Sequence, residues 1–300
     1  MERSDYREIN MEPNGVCIVS KKQLPKHASG FSARFRRRRS SPEPTPEEIE
    51  ADRRWEHLKK GCSERQLEAF VCSRAMCPDT TYPYLQVSND SLMTEHWVPS
   101  KNEKSRRSEP TRISRPKPDA VYGYTYDSMS ASHRQAFTHL PHAMRGDAQG
   151  LRFPFLVIEY KADGPSSCGS LWVAENQCAG AASASVNMVA TLNTALESIS
   201  RFPEPVQRID ESTFSIAMSN KHAALYISWR ENANDFYTAE MEDFHVNNPE
   251  GFIKFRRCLR NIIDWGMNER MSRIHGCLET LLEGYRLDAS QIRDPPSVNR

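Results

Sequence analysis

The chain has 300 residues, 40 Lys plus Arg against 39 Asp plus Glu, a formal net charge of +1 and a mean hydropathy of -0.69. That length suits one large domain or two small ones, and the charge balance excludes a wholly basic nucleic-acid coat while leaving room for a local basic groove. No stretch reaches the ~18 apolar residues of a membrane span, the charged N-terminus lacks the apolar run of a secretory signal, and eight cysteines without a CxxC pair read as reduced thiols, mostly in the core.

Residues 1–40 hold ten Lys/Arg and four Asp/Glu, including the run Arg36 to Arg39. No apolar period passes through them, so 1–44 read as a disordered basic tail. Its arginine run reads as a nuclear-import signal, which favours the nucleus over the cytoplasm, as a phosphate-binding arm, or as a plain solvated charge run. Pro46, followed by Glu47, Glu48 and Glu50, starts a helix that runs to about Lys60 and breaks at Gly61. Ser63 and Gln66 form a capping-box pattern for a second helix through about Met76, with Leu67, Phe70 and Val71 on its apolar side. Residues 77–98 read as loop and short strands (TYPYLQV, HWV).

Residues 99–118, PSKNEKSRRSEPTRISRPKP, hold seven Lys/Arg and two Asp/Glu among four prolines and read as an exposed basic loop. DAVYGY (119–124) is a short strand, and 125–152 form a short helix and loop. PFLVIEYK (154–161) is the strongest strand signal, its apolar residues running without alternation as in a strand buried on both faces. Over 171–200, Leu171, Ala174, Cys178, Ala181, Ser185, Met188, Leu192, Leu196 and Ile199 recur at helical steps, and the small residues Ala179 to Ser185 permit close approach to a sheet. TFSIAMS, HAALYISW and DFYTAEMEDFHV read as three further strands, the first two joined by a tight turn at Asn220-Lys221. A helix with its apolar stripe from Phe252 to Leu281 follows over 249–283, with a kink expected at Gly266, and 291–300 form a flexible C-terminus.

The chemistry centres on Asp119 and on Glu159-Tyr160-Lys161. Strand side chains alternate, so Glu159 and Lys161 share a face and Tyr160 points away. Charges at the end of an apolar strand must be paired, hydrated or bound to a metal. If the two strands are neighbours, Asp119 stands beside Glu159, and a hard dication such as Mg2+ or Mn2+ relieves their repulsion. A lysine two residues on orients water or neutralises charge developing on a phosphate, which together equips metal-assisted phosphodiester hydrolysis. The plainer alternative is a turn-capping Asp119 and a Glu159–Lys161 ion pair. Arg106, Arg107, Arg112, Arg115 and Lys117, in the loop running into Asp119, are candidate phosphate contacts. Arg256, Arg257 and Arg260 form a second cluster that reads as solvated helix surface. Cys62, Cys72 and Cys77 lack zinc-site spacing, His139 and His142 flank a proline, and no P-loop or dinucleotide fingerprint is present.

Pro118-Asp119 followed at a distance by Glu159-x-Lys161 resembles the PD-(D/E)XK nuclease superfamily. The segments PKPDAVYGY, FPFLVIEYKADG, SLWVAENQCAGAASASVN, TFSIAMS and FRRCLRNIIDWG are similar to a nuclease-like domain of unassigned function found in many fungal proteins, over roughly residues 50–285. The resemblance implies an α/β fold with a restriction-endonuclease-like α-β-β-β-α-β core, here with extra strands and a long C-terminal helical segment, spanning about 45–290. It implies Asp119 and Glu159 as ligands of Mg2+ or Mn2+, Lys161 as the catalytic lysine, Gln177 as a supporting polar residue on the following helix, and an acid on the first helix, for which Glu64 and Glu68 both qualify. The implied substrate is nucleic acid, DNA before RNA, with a homodimer as one way to cut two strands. The competing implication is a catalytically inactive nuclease-fold module that binds nucleic acid or a protein partner.

Overall fold

A computed structural model describes residues 1–76, 82–101, 111–164, 167–199 and 207–293. Among them are strands β1 (Val16–Val19), β2 (Leu85–Asn89), β3 (Ala120–Tyr124), β4 (Arg152–Tyr160), the two-residue β5 (Asp163–Gly164) and β6 (Ser167–Cys168), β7 (Thr213–Met218), β8 (His222–Asn232) and β9 (Asp235–His245). The α-helices are α1 (Lys26–Phe35), α2 (Pro46–Glu50), α3 (Arg53–Lys60), α4 (Glu64–Arg74), α5 (Ala131–Ala136), α6 (Leu171–Ser198), α7 (Pro249–Trp265) and α8 (Met271–Arg293). The fold is mixed α/β. One seven-stranded sheet runs in the order β1-β9-β8-β7-β4-β3-β2, with β5 and β6 forming a separate hairpin. The pairs β1–β9 and β4–β7 are parallel and the other neighbours antiparallel.

Strand β4 is buried along its whole length, as its unbroken apolar run requires. Alternation along its partner β7 separates two layers. Phe214 faces an aromatic cluster with Phe31 and Phe35 of α1 and Trp265 of α7, whereas Ala217 packs with Ala174 and Cys178 of α6. Helix α6 carries more than one apolar stripe: residues 178–186 are buried without interruption. Ala181 and Ala184 face the main core. Ala179 and Val186 pack on the other side against Tyr6, Met11, Val16 and Phe236.

That second layer corrects the reading of residues 1–44 as a disordered tail. β1 joins the sheet edge beside β9, and Arg7 reaches Asn176 at 2.6 Å and Glu175 at 2.7 Å on α6. Gly15, at φ 81°, brings its backbone so close to Asn234 that an added Cβ would lie 1.8 Å from the carbonyl oxygen. Phe35 is completely buried. Composition misled because the segment's charges lie outside while a few large apolar residues anchor it. In the arginine run, Arg36 pairs with Glu242 and Arg39 reaches Asp264 and Asn261, leaving Arg37 and Arg38 exposed.

Other elements differ in detail. The helix expected from Pro46 to Lys60 is interrupted at Ala51–Asp52, because Asp52 caps α3 by accepting the Arg54 N–H at 3.0 Å. HWV forms a 3-10 turn at Glu95–Trp97. At Gly266 the chain continues into a π-helical turn, Gly266–Arg270, that links α7 to α8. A side chain at Gly266 would collide with the Phe155 ring. Residues 294–300, within the segment read as a flexible C-terminus, lie outside the described residues, whereas α8 extends to Arg293.

Two outcomes are expected from this packing. Phe35→Ala should cost about 3–5 kcal/mol in a denaturant titration, since the ring is lost from a closed aromatic cluster; a loss within 0.5 kcal/mol, the range ordinary for surface substitutions, would return α1 to the status of a tail. Ala181→Leu should cost about 1–3 kcal/mol in thermal or denaturant melts by overpacking the helix–sheet contact, and unchanged stability would place that contact elsewhere.

Candidate carboxylate and lysine site

The site lies where β4 ends, beside β3 and α4. Asp119 immediately precedes β3, and its Oδ2 accepts the Tyr160 backbone N–H at 2.6 Å. This bond ties the start of β3 to the end of β4, which are antiparallel neighbours with Ala120 opposite Ile158. Glu159 lies opposite Ala217 of β7, on the face covered by α6, and is only 1% exposed. Lys161 follows, its N–H donating to Met218 O at 2.8 Å and its Nζ 3.7 Å from Glu159 Oε2. That separation is an ion pair too long for a good hydrogen bond. Among the described residues, Glu159 Oε2 is buried with no hydrogen-bond partner.

Helix α4 adds further carboxylates. Ser63 and Gln66 make the expected capping box. In the first turn, Glu64 Oε1 accepts the Ala162 N–H at 3.3 Å. The far end of α4 is held by α7: Arg256 donates to Arg74 O at 2.9 Å, and Arg260 to Ala75 O at 3.0 Å and Met76 O at 2.6 Å. Cations at carbonyls of a helix C-terminus favour the macrodipole. Arg257 pairs with Glu43 at 2.6 Å. The cluster read as solvated surface is therefore structural and fixes the helix that carries Glu64 and Glu68.

The electrostatics follow from burial and crowding. Burial, then the neighbouring Asp119 charge, raises Glu159 well above the usual carboxylate range; Lys161 opposes this, and Glu64 adds a smaller upward push. Burial likewise raises Asp119, against the pull of the Tyr160 N–H and Lys161, with Glu64 and Asp90 pushing the same way as burial. Glu68 is raised by burial and by Asp119 and Asp90. Glu64, Glu68, Asp90, Asp119 and Glu159 are thus electrostatically linked, with Lys161 beside Asp119 and Glu159. Oxygen donors of this kind, one of them buried without a hydrogen bond, have the chemistry of a site for a hard dication such as Mg2+ or Mn2+.

The other expected residues are dispersed. Gln177 is half-buried with its Oε1 unpartnered, and among the described residues no hydrogen bond joins it to Asp119 or Glu159. Cys178, its neighbour, is the α6 residue beside the carboxylates: its thiol is pushed far upward by burial and then by Glu159, while a hydrogen bond with Ser215 opposes the shift. Lys117 pairs with Asp90 at 3.1 Å, Arg112 lies 3.6 Å from Glu95, and Arg115 donates to Met93 O at 2.5 Å, so these cations already have internal partners. Arg106 and Arg107 lie outside the described residues. Among the described residues, the group of three metal-ligating side chains whose ligand atoms lie within 4.8 Å of one another is His222, Asp243 and His245; Asp119, Glu159 and Glu64 are not gathered that closely. Cross-strand pairing of His222 with His245 assembles the histidine group, and two imidazoles with one carboxylate suit a borderline transition ion rather than Mg2+.

A family model described as a domain of unknown function (DUF7924) matches residues 66–278, and the chain belongs to that family. The match begins just after Glu64 and leaves β1 and α1 outside it. No curated protein matches the chain, and no solved structure does. No helix among the described residues is long and apolar enough to cross a membrane.

The raised Glu159 carboxyl has a consequence for stability. A folded-state pKa above the unfolded value favours the protonated fold, so the contribution is complete below about pH 4.3 and is lost as pH climbs through the raised folded value. In EDTA at pH 7.5, Glu159→Gln should therefore melt above the wild type, with the gap closing as pH falls toward 4. A variant that melts lower than wild type at pH 7.5 would contradict the electrostatic description of this site.

Proposed function

We propose that this member of the DUF7924 family is a metal-dependent nuclease of PD-(D/E)XK type that hydrolyses phosphodiester bonds. The observation that carries the reading is the convergence of Asp119, Glu159 and Glu64 beside Lys161, with Glu159 buried and its Oε2 unpartnered. With the short α5 and the β5–β6 hairpin set aside as insertions, the chain order α4-β2-β3-β4-α6-β7 supports it, since it runs α-β-β-β-α-β with the two acids at the second and third strands. The resemblance to restriction-enzyme-type cores makes DNA the expected substrate.

Asp119, Glu159 and Glu64 would hold Mg2+ or Mn2+, which supplies a more acidic bound water and neutralises charge on the scissile phosphate. The chain's own groups do the rest. The Asp119–Tyr160 hydrogen bond holds one carboxylate in place against β4. Lys161 is not a ligand for a hard dication. Its ammonium, anchored by the backbone bond to β7, orients the attacking water and balances negative charge as the phosphate goes through the transition state. The α6 face excludes water behind Glu159, which strengthens these interactions.

Purified protein incubated with plasmid, linear and single-stranded DNA and with RNA, in Mg2+ or Mn2+, should cleave, with DNA favoured. Asp119→Ala should be inactive. Lys161→Ala should lose about 10²–10³ in rate while retaining metal binding and wild-type circular dichroism. His222→Ala should cleave normally, separating this site from the histidine group on β8 and β9. Wild-type cleavage by Lys161→Ala would assign any activity to another source, and metal-dependent DNA binding without cleavage would favour the inactive binding module.

A further inference from the structure

At the opposite end of β4, seven residues and about 23 Å from Glu159, the structure carries a buried positive charge that the carboxylate chemistry does not use. Arg152 is 4% exposed. Its guanidinium lies between two rings, 5.1 Å from the Tyr126 centroid and 5.3 Å from that of Phe137. It donates to the Ala143 carbonyl, while its Nε is buried without a hydrogen-bond partner. Arg145 sits directly across from it in an antiparallel bridge. Like charges opposed in this way repel, and among the described residues no carboxylate pairs with either. Arg134 supplies a third guanidinium, stacked 4.3 Å from the Tyr126 centroid, and its one acidic partner is the exposed Asp127 at 2.9 Å. Burial and then Arg145 lower the Arg152 guanidinium to about 10, with Tyr126 opposing.

The three arginines line a cavity of about 610 Å3 together with Gln86, Thr138 and Gln149. The backbone around it is held in an unusual form: His142, Ala143 and Met144 have φ of 47°, 47° and 55°, and Phe153 has 43°. Four non-glycine residues in the left-handed region cost free energy that surrounding contacts must offset. A buried cation with an unpartnered donor, a like-charged neighbour and a strained rim point to a ligand that supplies negative charge.

We propose that this cavity is a binding site for the phosphate group of a small molecule. Three guanidiniums line the cavity, and against them, among the described residues, stand the exposed Asp127 paired with Arg134 and the buried Asp147, which accepts the Leu151 N–H; the remaining positive charge suits a phosphate. Guanidinium forks match phosphate oxygens in pairs. The volume falls in the range of small-molecule sites and leaves space beyond a bare phosphate, with the two glutamines and Thr138 to hydrogen-bond the remainder. The site stands independently of the carboxylate cluster.

Calorimetric titration and thermal melts of the full chain with inorganic phosphate and with AMP, against sodium chloride at matched ionic strength, test the assignment. Saturable binding with a rise in melting temperature is expected. Arg145→Glu, at an exposed position that should not disturb folding, should weaken it tenfold or more. Asp119→Ala should bind as wild type does, so failure of the nuclease reading leaves this result intact. Tighter binding of AMP than of phosphate identifies a phosphomonoester as the ligand, and equal affinity identifies the free anion. Absence of saturable binding of either probe, or binding unchanged in Arg145→Glu, overturns the proposal. Arg152→Met, if it folds, should abolish binding.

Discussion

The close approach of α6 to β4 and β7 governs how charge is held in this domain. Alanine, serine and glycine through the middle of the helix let its backbone lie near the sheet, and the resulting layer is dense. Glu159 and Cys178 face each other within it, shut away from water. A carboxylate in such a place is unfavourable unless something compensates it. Lys161, Asp119 and Glu64 are arranged where that compensation, or the need for it, arises. The same helix is packed on its outer side by the N-terminal segment.

Strand β4 can be viewed as an apolar rod with an ionic problem at each end. At its C-terminal end the excess is negative, with Glu64, Asp119 and Glu159 around Lys161, and suits a cation. At its N-terminal end the excess is positive, with Arg152 and Arg145 opposed across a bridge, and suits an anion. Between Arg152 and Glu159 the six residues 153–158 are all buried and insulate the two ends. Another buried cation, Arg270, is held by the fold itself: its guanidinium donates to Phe153 O at 2.9 Å and Pro154 O at 3.2 Å and is surrounded by the rings of Tyr124, Phe155 and Trp265. Among the described residues, both arginines leave Nε buried without a hydrogen bond; Arg152 differs in reaching a single carbonyl and in having Arg145 opposed to it across a bridge.

Helix ends do comparable work at longer range. The α4 N-terminus presents Glu64 to the sheet, and the α4 C-terminus is clamped by Arg256 and Arg260 from α7. The C-terminal helices thereby position an acid at a site they do not reach. The π-helical turn after Gly266 belongs to the same scaffold, since it allows Trp265 and Arg270 to surround Phe155 beneath the sheet.

Much of this was legible in one dimension. The unbroken apolar run of β4, the alternation of Glu159 with Lys161, the Ser63–Gln66 box and the small-residue helix are local patterns, and local patterns survive in sequence because period and capping depend on neighbours along the chain. The pairing of Asp119 with the Tyr160 N–H, the choice of Glu64 to bond Ala162, and the placement of Cys178 beside Glu159 depend on register and helix rotation, which no local period encodes. The N-terminal segment was misjudged because its charges dominate composition while Tyr6, Phe31 and Phe35 do the burying. His222 and Asp243-x-His245, and likewise Arg145 and Arg152, carry no signal until antiparallel pairing places them side by side. The sequence alone determined the core strands, the long helices and the shared strand face of Glu159 and Lys161. Tertiary structure decided which charges meet and which remain unanswered, because burial and cross-strand distance are properties of the folded chain.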